Sequence, residues 1–249
     1  MTTKSNVTIK TLAVMKAFID KQSVWGVNEL ARYLDCPASS LHRILKTLRE
    51  ENILQILPET NKYTIGNEWA RMSSVVNANF GIKAVAEPSL KRLAQELNQS
   101  VYLAIYQEQH QKLSFILGIH SSNALQYRLE LGVLQAIHIG ASGKAILSFL
   151  PDESINNILE QEQVSPQERD QIWAHIHEVR EKGYSYTFSE RKSESIGIGA
   201  PLFDATGSII GSIICAIPLN LYQEELKESM IQNVVETARE ISYHLGHKL

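Results

Sequence analysis

The sequence lacks long apolar runs and contains little cysteine. No stretch near eighteen residues is uninterruptedly apolar, so we predict no membrane span. The first ten residues lack the apolar core of a signal peptide. Two cysteines, Cys36 and Cys215, are too few for a disulfide framework and match no metal-ligand spacing. These absences argue against membrane and disulfide-rich classes and predict a cytoplasmic protein.

Catalytic and cofactor-binding motifs are also missing. The pair Gly143-Lys144 suggests a phosphate loop, but a Walker loop needs glycine at position 138 and Ser or Thr at position 145. The chain has His138 and Ala145 there. No nucleophile elbow of the G-x-S-x-G type is present, and no Asp, Glu or Cys set completes a zinc site. We therefore predict no enzyme activity, no cofactor and no metal.

The net charge of −3 hides an asymmetry between the two ends of the chain. Residues 1–66 contain nine Lys and Arg against six Asp and Glu, whereas the remaining 183 residues contain fifteen against twenty-one. A basic head on an acidic body indicates that only the head contacts a polyanion.

Amphipathic periodicity in the basic head predicts a helix-turn-helix. A first helix is expected over residues 9–21, and two further helices each carry an apolar stripe at i, i+3, i+4 and i+7. A turn of about four residues separates the two stripes, and Pro37 suits the first turn of the third helix. The predicted inward-facing residues are Leu12, Met15 and Ile19 in the first helix, Val27, Leu30, Ala31 and Leu34 in the second, and Leu41, Ile44, Leu45 and Leu48 in the third.

Two short strands, at 53–57 and 62–65, flank a turn after the third helix and predict the hairpin of a winged helix. The following segment contains no Gly or Pro and is expected to form a stiff connecting helix. We thus divide the chain into a winged helix-turn-helix DNA-binding domain (1–66), a linker helix (67–80) and an effector-binding domain (81–249).

The last two thirds of the chain alternate helix and strand, which predicts an α+β domain around one sheet. Predicted helices end near residue 97, cover about 143–150 and 168–182, and close the chain. Predicted strands lie at about 100–107, 112–119, 125–129, 184–188, 196–203 and 208–217.

The outer face of the third helix is polar and basic, and such a helix fits the major groove of B-DNA. Arg43 can donate two hydrogen bonds to guanine, and Ser or Thr can bond base edges or phosphates. Amides at the helix start, and Lys4 and Lys10 before it, suit phosphate contacts. The alternative is an ordinary solvated face. The predicted DNA-binding residues are Ser39, Ser40, His42, Arg43, Lys46 and Thr47, with Asn61 and Lys62 at the wing tip.

Three runs of this region resemble the DNA-binding domain of the IclR family of bacterial transcriptional regulators. They are Val27-Asn-Glu-Leu-Ala31, Pro37-Ala-Ser-Ser-Leu-His-Arg43 and Lys62-Tyr-Thr-Ile-Gly66, where Ile65 replaces the usual leucine. The resemblance implies a dimer, or a dimer of dimers, that reads a palindromic operator.

The stretch from Gly132 to Ala145 resembles the effector-domain signature of the same family, with Leu134 and Ala136 in place of the usual Arg and Pro. The resemblance implies a GAF-like domain that binds a small molecule, commonly an organic or aromatic acid. Backbone amides at a helix start can receive a carboxylate. The effector-binding residues expected from these arguments are Ala141, Ser142, Thr187, Gly197, Ile214 and Ala216.

Of the four positions that the family resemblance adds to this pocket, only Thr187 is polar, which favours a larger or less polar ligand and leaves an empty pocket as the alternative. The combined expectation is a ligand-responsive transcriptional regulator, with repression as the expected mode. Two rival interpretations remain open: an α+β enzyme with an accessory winged helix, and a winged helix that binds protein rather than DNA.

Overall fold

The computed structural model describes residues 7–79, 81–123, 126–191 and 194–248. The chain separates into two compact units, Met1–Phe80 and Gly81–Leu249. Lys4, expected to contact phosphate, lies outside the described residues. In the ranges described, no helix combines the length and apolarity that crossing a membrane requires.

The first unit is a helix-turn-helix followed by a wing. Its helices are α1 (Val7–Asp20), α2 (Val27–Tyr33), α3 (Ala38–Glu50) and α4 (Asn67–Asn79). Its strands are β1 (Val24–Trp25), β2 (Leu54–Ile56) and β3 (Tyr63–Ile65), which pair antiparallel in the order β1-β3-β2. The two-residue strand β1 was not expected from the sequence, because so short a run has no readable periodicity.

The predicted stripes of α2 and α3 form the centre of this unit. All four stripe residues of α3 are buried, as are Leu30 and Ala31 of α2, while Val27 and Leu34 are half-buried. Asp35 adopts the left-handed conformation (φ 46°) and Pro37 occupies the N-cap of α3. The chain therefore changes direction in a tight turn between α2 and α3, as the spacing predicted.

The predicted inner face of α1 is wrong at two of its three residues, whereas Met15 is half-buried and packs against the core. Leu12 and Ile19 are 52% and 50% exposed, whereas Val14, Ala17 and Phe18 are the buried residues. The helix carries apolar residues on two faces, so periodicity alone could not tell which face meets the core.

The wing is closed by a glycine that permits a close backbone approach. The Gly66 amide donates to the Ile53 carbonyl at 2.9 Å, and a Cβ at Gly66 would lie 2.1 Å from the Asn52 carbonyl oxygen. A larger residue cannot occupy this position without moving β2. At the wing turn, Asn61 adopts the left-handed conformation (φ 54°) that asparagine tolerates.

The second unit is built around one antiparallel sheet of six strands in the order β6-β5-β4-β9-β8-β7. The strands are β4 (Ser100–Gln107), β5 (Lys112–Ile119), β6 (Leu134–Ala136), β7 (Ser185–Phe188), β8 (Ser195–Phe203) and β9 (Ile209–Pro218). The helices are α5 (Gly81–Leu97), α6 (Gly140–Leu147), α7 (Asp152–Gln161), α8 (Pro166–Lys182) and α9 (Lys227–His244).

Helices cover both faces of this sheet. Buried residues of α5 and α9 pack with one set of strand side chains, and those of α6, α7 and α8 pack with the alternate set. The central strands β8 and β9 therefore read as nearly continuous apolar runs, since both of their faces are buried. This architecture confirms the predicted α+β class.

Some predicted elements of this unit need correction. The strand expected at 125–129 is wrong, because residues 126–130 have no regular secondary structure. The helix expected at 143–150 begins at Gly140 and ends at Leu147, and β6 and α7 were not predicted. Residues 126–129 resemble a strand in composition, yet their backbone is held by a tyrosine hydroxyl of β4 rather than by a neighbouring strand.

Candidate DNA-binding face and ligand cavity

The outward face of α3 carries the residues predicted to contact DNA. With the apolar stripe buried, Ser39, His42, Arg43, Lys46 and Thr47 are exposed and Ser40 is half-buried. Ser40, Arg43 and Thr47 also line a groove beside the first residues of α1. The structure thus presents these predicted residues on one surface of the unit, which we call the α3 face.

The basic side chains of the α3 face and the wing differ in whether they form ion pairs. Lys46 Nζ lies 3.8 Å from Glu50, and Lys62 Nζ lies 3.5 Å from Glu29. Arg43 forms no ion pair within the described ranges, so its guanidinium is the least encumbered of these cations. Exposed pairs of this kind contribute little to stability and exchange readily for a phosphate partner.

The start of α3 also offers hydrogen-bond donors. The amides of Ser40 and Leu41 are already used by the Pro37 carbonyl, at 3.0 and 3.1 Å, so the available amides are those of Ala38 and Ser39, which have no backbone acceptor among the described residues. The first amides of a helix have no intrahelical acceptor, and they favour an anion at the positive end of the helix dipole. Asn61 and Lys62 are both exposed on the wing turn.

In the second unit, three adjacent strands bring distant residues side by side. Gly197 of β8 pairs with Thr187 of β7 on one side and with Ala216 of β9 on the other. Ile214 is two residues from Ala216 and therefore on the same face of the sheet. Together with Ala141 of α6, these residues line one cavity of about 30 Å³.

Glycine at two positions lets α6 lie directly on this part of the sheet. A Cβ at Gly199 would lie 2.6 Å from the Ala141 carbonyl oxygen, and a Cβ at Gly197 would lie 3.1 Å from Thr187 Oγ1. The absence of these side chains creates both the close helix–sheet contact and the cavity beside it.

Ser142 does not line the cavity. Its hydroxyl is buried 2.6 Å from the Ser212 hydroxyl, and Ser212 Oγ lies 3.1 Å from the Ser142 carbonyl. Nor does Ser142 cap α6, whose N-cap is Ile139. Its position in the first turn, facing β9, makes it a link between helix and sheet.

The start of α6 is occupied by a carboxylate of the protein itself. Glu190 accepts the Gly140 amide at 3.0 Å and the Lys144 ammonium at 2.6 Å. A negative group at this position is favoured by the helix dipole. The amides of Ala141 and Ser142, which we expected to receive a ligand, thus lie next to an acid that accepts the neighbouring Gly140 amide.

Sequence reasoning missed Arg191, which lines the cavity next to Glu190. Its guanidinium donates to the Gln135 side chain and to the carbonyls of Ala136 and Ile139. Burial lowers the pKa of Arg191 below its ordinary value. No motif spacing could have found it, because its partners lie more than fifty positions earlier in the chain.

Residues 126–129 form part of the cavity wall, to which they contribute Tyr127 and Leu129. Tyr102 holds this segment: its hydroxyl donates to the Tyr127 carbonyl at 2.5 Å and accepts the Leu129 amide at 3.3 Å. The buried tyrosine of β4 therefore positions one wall of the cavity.

Other chemistry finds no support in the described part of the chain. No group of three or more His, Cys, Asp or Glu side chains is placed there to hold a metal ion. Burial raises the pKa of Cys215 to about 12, so this thiol stays protonated at neutral pH.

A winged helix-turn-helix in one chain with an α+β unit that encloses a small cavity defines a DNA-binding transcriptional regulator. Residues 7–57 match the IclR helix-turn-helix domain, and residues 74–243 match the bacterial transcriptional regulator IclR C-terminal domain. The chain belongs to the IclR family of bacterial transcriptional regulators.

Individual relatives agree with this assignment. The chain is 23% identical to the HTH-type transcriptional regulator KipR of Bacillus subtilis, over 99% of this chain and all of the relative. It is 20% identical to the transcriptional repressor IclR of Escherichia coli, over 89% of this chain and 83% of the relative. An IclR homologue of Microbacterium hydrocarbonoxydans, solved with 4-hydroxybenzoate, superposes with a TM-score of 0.80 at 17% identity, covering 96% of this chain and 99% of that one.

These relatives are regulators, so they give the enzyme interpretation no support.

Proposed function

We propose that this protein represses transcription as a homodimer, or a dimer of dimers, that reads a palindromic operator and responds to a small carboxylate. The observation that carries the DNA-binding part is the α3 face, where Ser40, Arg43 and Thr47 lie together above a fully buried apolar stripe. Repression is proposed by analogy with relatives that are named repressors. The cytoplasm is the compartment that this role requires.

The dimer is supported by the unexpected surface of α1. Ile9, Leu12 and Ile19 are 62%, 52% and 50% exposed and lie on one side of the helix. A second copy would remove this apolar stripe from water, which is the main favourable term in protein association. Two copies related by a two-fold axis would place two α3 helices in successive major grooves, as a palindrome demands.

The ligand part is supported by the cavity and by one relative. The cavity is lined by Thr187, Gly197, Ile214 and Ala216, the four positions expected from the family resemblance, and by Ala141, expected from the helix start. Ser142 does not line it. A homologue of the same fold was solved with an aromatic acid. A ligand can shift operator affinity only by its difference in affinity for the two states of the protein.

The test is selection of operator sequences from a random duplex pool with the full-length chain, followed by Arg43→Ala on the selected site. A bidentate contact to guanine contributes about 1–3 kcal/mol, so we expect operator affinity to fall about 5- to 150-fold. Affinity for random DNA should change far less, because phosphate contacts carry no sequence information.

Arg49→Ala is the matched control, since it removes the same charge from another exposed position of α3. It should weaken operator and random DNA by similar small factors. If Arg43→Ala lowered the affinity for operator and random DNA by the same factor, Arg43 would not contact a base. Failure of the wild-type dimer to select any sequence would refute the proposed function as a whole.

A further inference from the structure

Arg191 brings to the cavity wall a positive charge that forms no ion pair among the described residues. Burial lowers the pKa of Arg191 by more than the nearby Glu190 carboxylate raises it. Among the described residues, all of its hydrogen-bond acceptors are neutral: the amide of Gln135 and the carbonyls of Ala136 and Ile139. These contacts fix the guanidinium in place without neutralising it. Arg191 is half-buried, and burial disfavours its charged form.

The neighbouring acid is committed elsewhere. Glu190 accepts from the Lys144 ammonium at 2.6 Å and from the Gly140 amide at 3.0 Å. The side chains of Lys144 and Glu190 are 12% and 30% exposed, so the pair is partly shielded from solvent and holds Glu190 at the start of α6. A ligand carboxylate aimed at the same amide would meet a like charge, whereas at Arg191 it would meet an opposite one.

Gly140 allows Arg191 to sit against the start of α6. It adopts φ +77°, which favours glycine, and a Cβ there would lie 3.0 Å from Arg191 Nε. The guanidinium is therefore held between the helix start and β6, and a side chain at position 140 would push against it. Three of its five donors are used by Gln135, Ala136 and Ile139, so Nε–H and one Nη1 hydrogen are the donors left for a carboxylate among the described contacts.

Apart from Arg191 and Glu190, the lining of the cavity carries no charged side chain and is mostly apolar. Its hydroxyl-bearing residues are Tyr127, Thr187 and Ser195, and its large apolar residues are Phe115, Leu129, Ile196 and Ile214. Such a surface suits a hydrocarbon or aromatic body rather than a second charged group. At about 30 Å³ the cavity has room for about two water molecules. A larger ligand must therefore displace a wall, and residues 126–129 form a wall that has no regular secondary structure.

We propose that Arg191 receives the carboxylate of the effector, so that the ligand is a monocarboxylate with an apolar body. This inference rests on the proposed function in one respect only, that the cavity is the effector site. It replaces the helix start, where Glu190 already sits, as the anion receptor.

The experiment compares carboxylates with their uncharged amides on the full-length protein. Acetate, isobutyrate and benzoate are each titrated beside acetamide, isobutyramide and benzamide, with the melting temperature and calorimetric Kd as readouts. A ligand that binds only the native state raises its apparent stability. We expect at least one carboxylate to raise the melting temperature and its amide to have no effect.

The decisive variant is Arg191→Gln, which keeps a hydrogen-bonding side chain and removes the charge. A hydrogen bond to a charged group contributes about 1.5–3 kcal/mol, so Kd for the active carboxylate should rise about 10- to 150-fold. Arg191→Lys should retain part of the affinity. Arg239→Gln is the control, because Arg239 is an exposed arginine of α9 that does not line the cavity.

Equal carboxylate binding by wild type and Arg191→Gln would overturn the inference, as would stabilisation by the amides alone or by none of the six probes. Operator selection on ligand-free wild type tests the proposed function separately. A protein that binds a carboxylate through Arg191 but selects no DNA sequence would refute the regulator and leave this inference standing.

Discussion

The tether between Tyr102 and residues 126–129 makes a quantitative prediction. Tyr102 is fully buried, and its ring packs edge-on against Phe115, so Tyr102→Phe should preserve packing while deleting one oxygen. That oxygen serves both the Tyr127 carbonyl and the Leu129 amide, and it also lies 3.4 Å from His120 Nδ1. The substitution thus removes both hydrogen bonds to this wall of the cavity, together with the long contact to His120.

The expected magnitude follows from these two contacts. A hydrogen bond contributes about 0.5–1.5 kcal/mol net, and the 3.3 Å contact to Leu129 belongs at the weak end. We expect the free energy of local opening to fall by about 1–2 kcal/mol. Amide hydrogens of residues 126–131 should then exchange about 5- to 30-fold faster.

Hydrogen exchange with mass spectrometry on the ligand-free protein measures this directly. Tyr106→Phe is the control: Tyr106 is half-buried on the same strand, and its hydroxyl makes no hydrogen bond to any described residue. Peptides from α5 and α9 should exchange as in wild type. Unchanged exchange of residues 126–131 in Tyr102→Phe would show that another contact holds the segment, and the tether would be refuted.

Two further predictions concern stability. Leu45 is fully buried between the helices of the first unit, so Leu45→Ala should lower the free energy of unfolding of this unit by about 2–5 kcal/mol. Urea denaturation measures this change, and an unchanged midpoint of the unfolding transition would contradict the core described above. Burial lowers the pKa of His175 in the folded protein below its value of about 6.5 in the unfolded chain. The stability that neutral His175 contributes is therefore complete above about pH 6.5 and is lost as the pH falls through the lower pKa of the folded state. His175→Gln should flatten the fall in melting temperature between pH 7 and 5, and an equally steep fall would count against this role.

The helix-turn-helix was readable from the sequence because its signals are local. The stripe of Leu41, Ile44, Leu45 and Leu48 has helical spacing, Pro37 marks the start of the helix, and all four stripe residues are buried as expected. Strands β4 and β5 were predicted to the residue for a similar reason, since apolar runs bounded by turn residues specify them.

Predictions failed where a residue's role depends on distant neighbours. Leu12 and Ile19 looked like core residues, yet α1 turns another face inward. Residues 126–129 looked like a strand, but their backbone partner is the Tyr102 hydroxyl. Ser142 looked like a cap or a ligand contact, but it bonds to Ser212, seventy positions away.

By itself the sequence determined the family, the helix-turn-helix with its wing and the face of α3 that meets the solvent, because these follow from periodicity and short motifs. Only the tertiary structure decided which side chains line the cavity. Strand pairing set Thr187, Gly197 and Ala216 in a row. Chain folding then brought Arg191 against Gln135 and placed Glu190 at the start of α6. Charge balance in an enclosed site depends on distances of a few ångströms between residues far apart in the chain, and no local pattern encodes them.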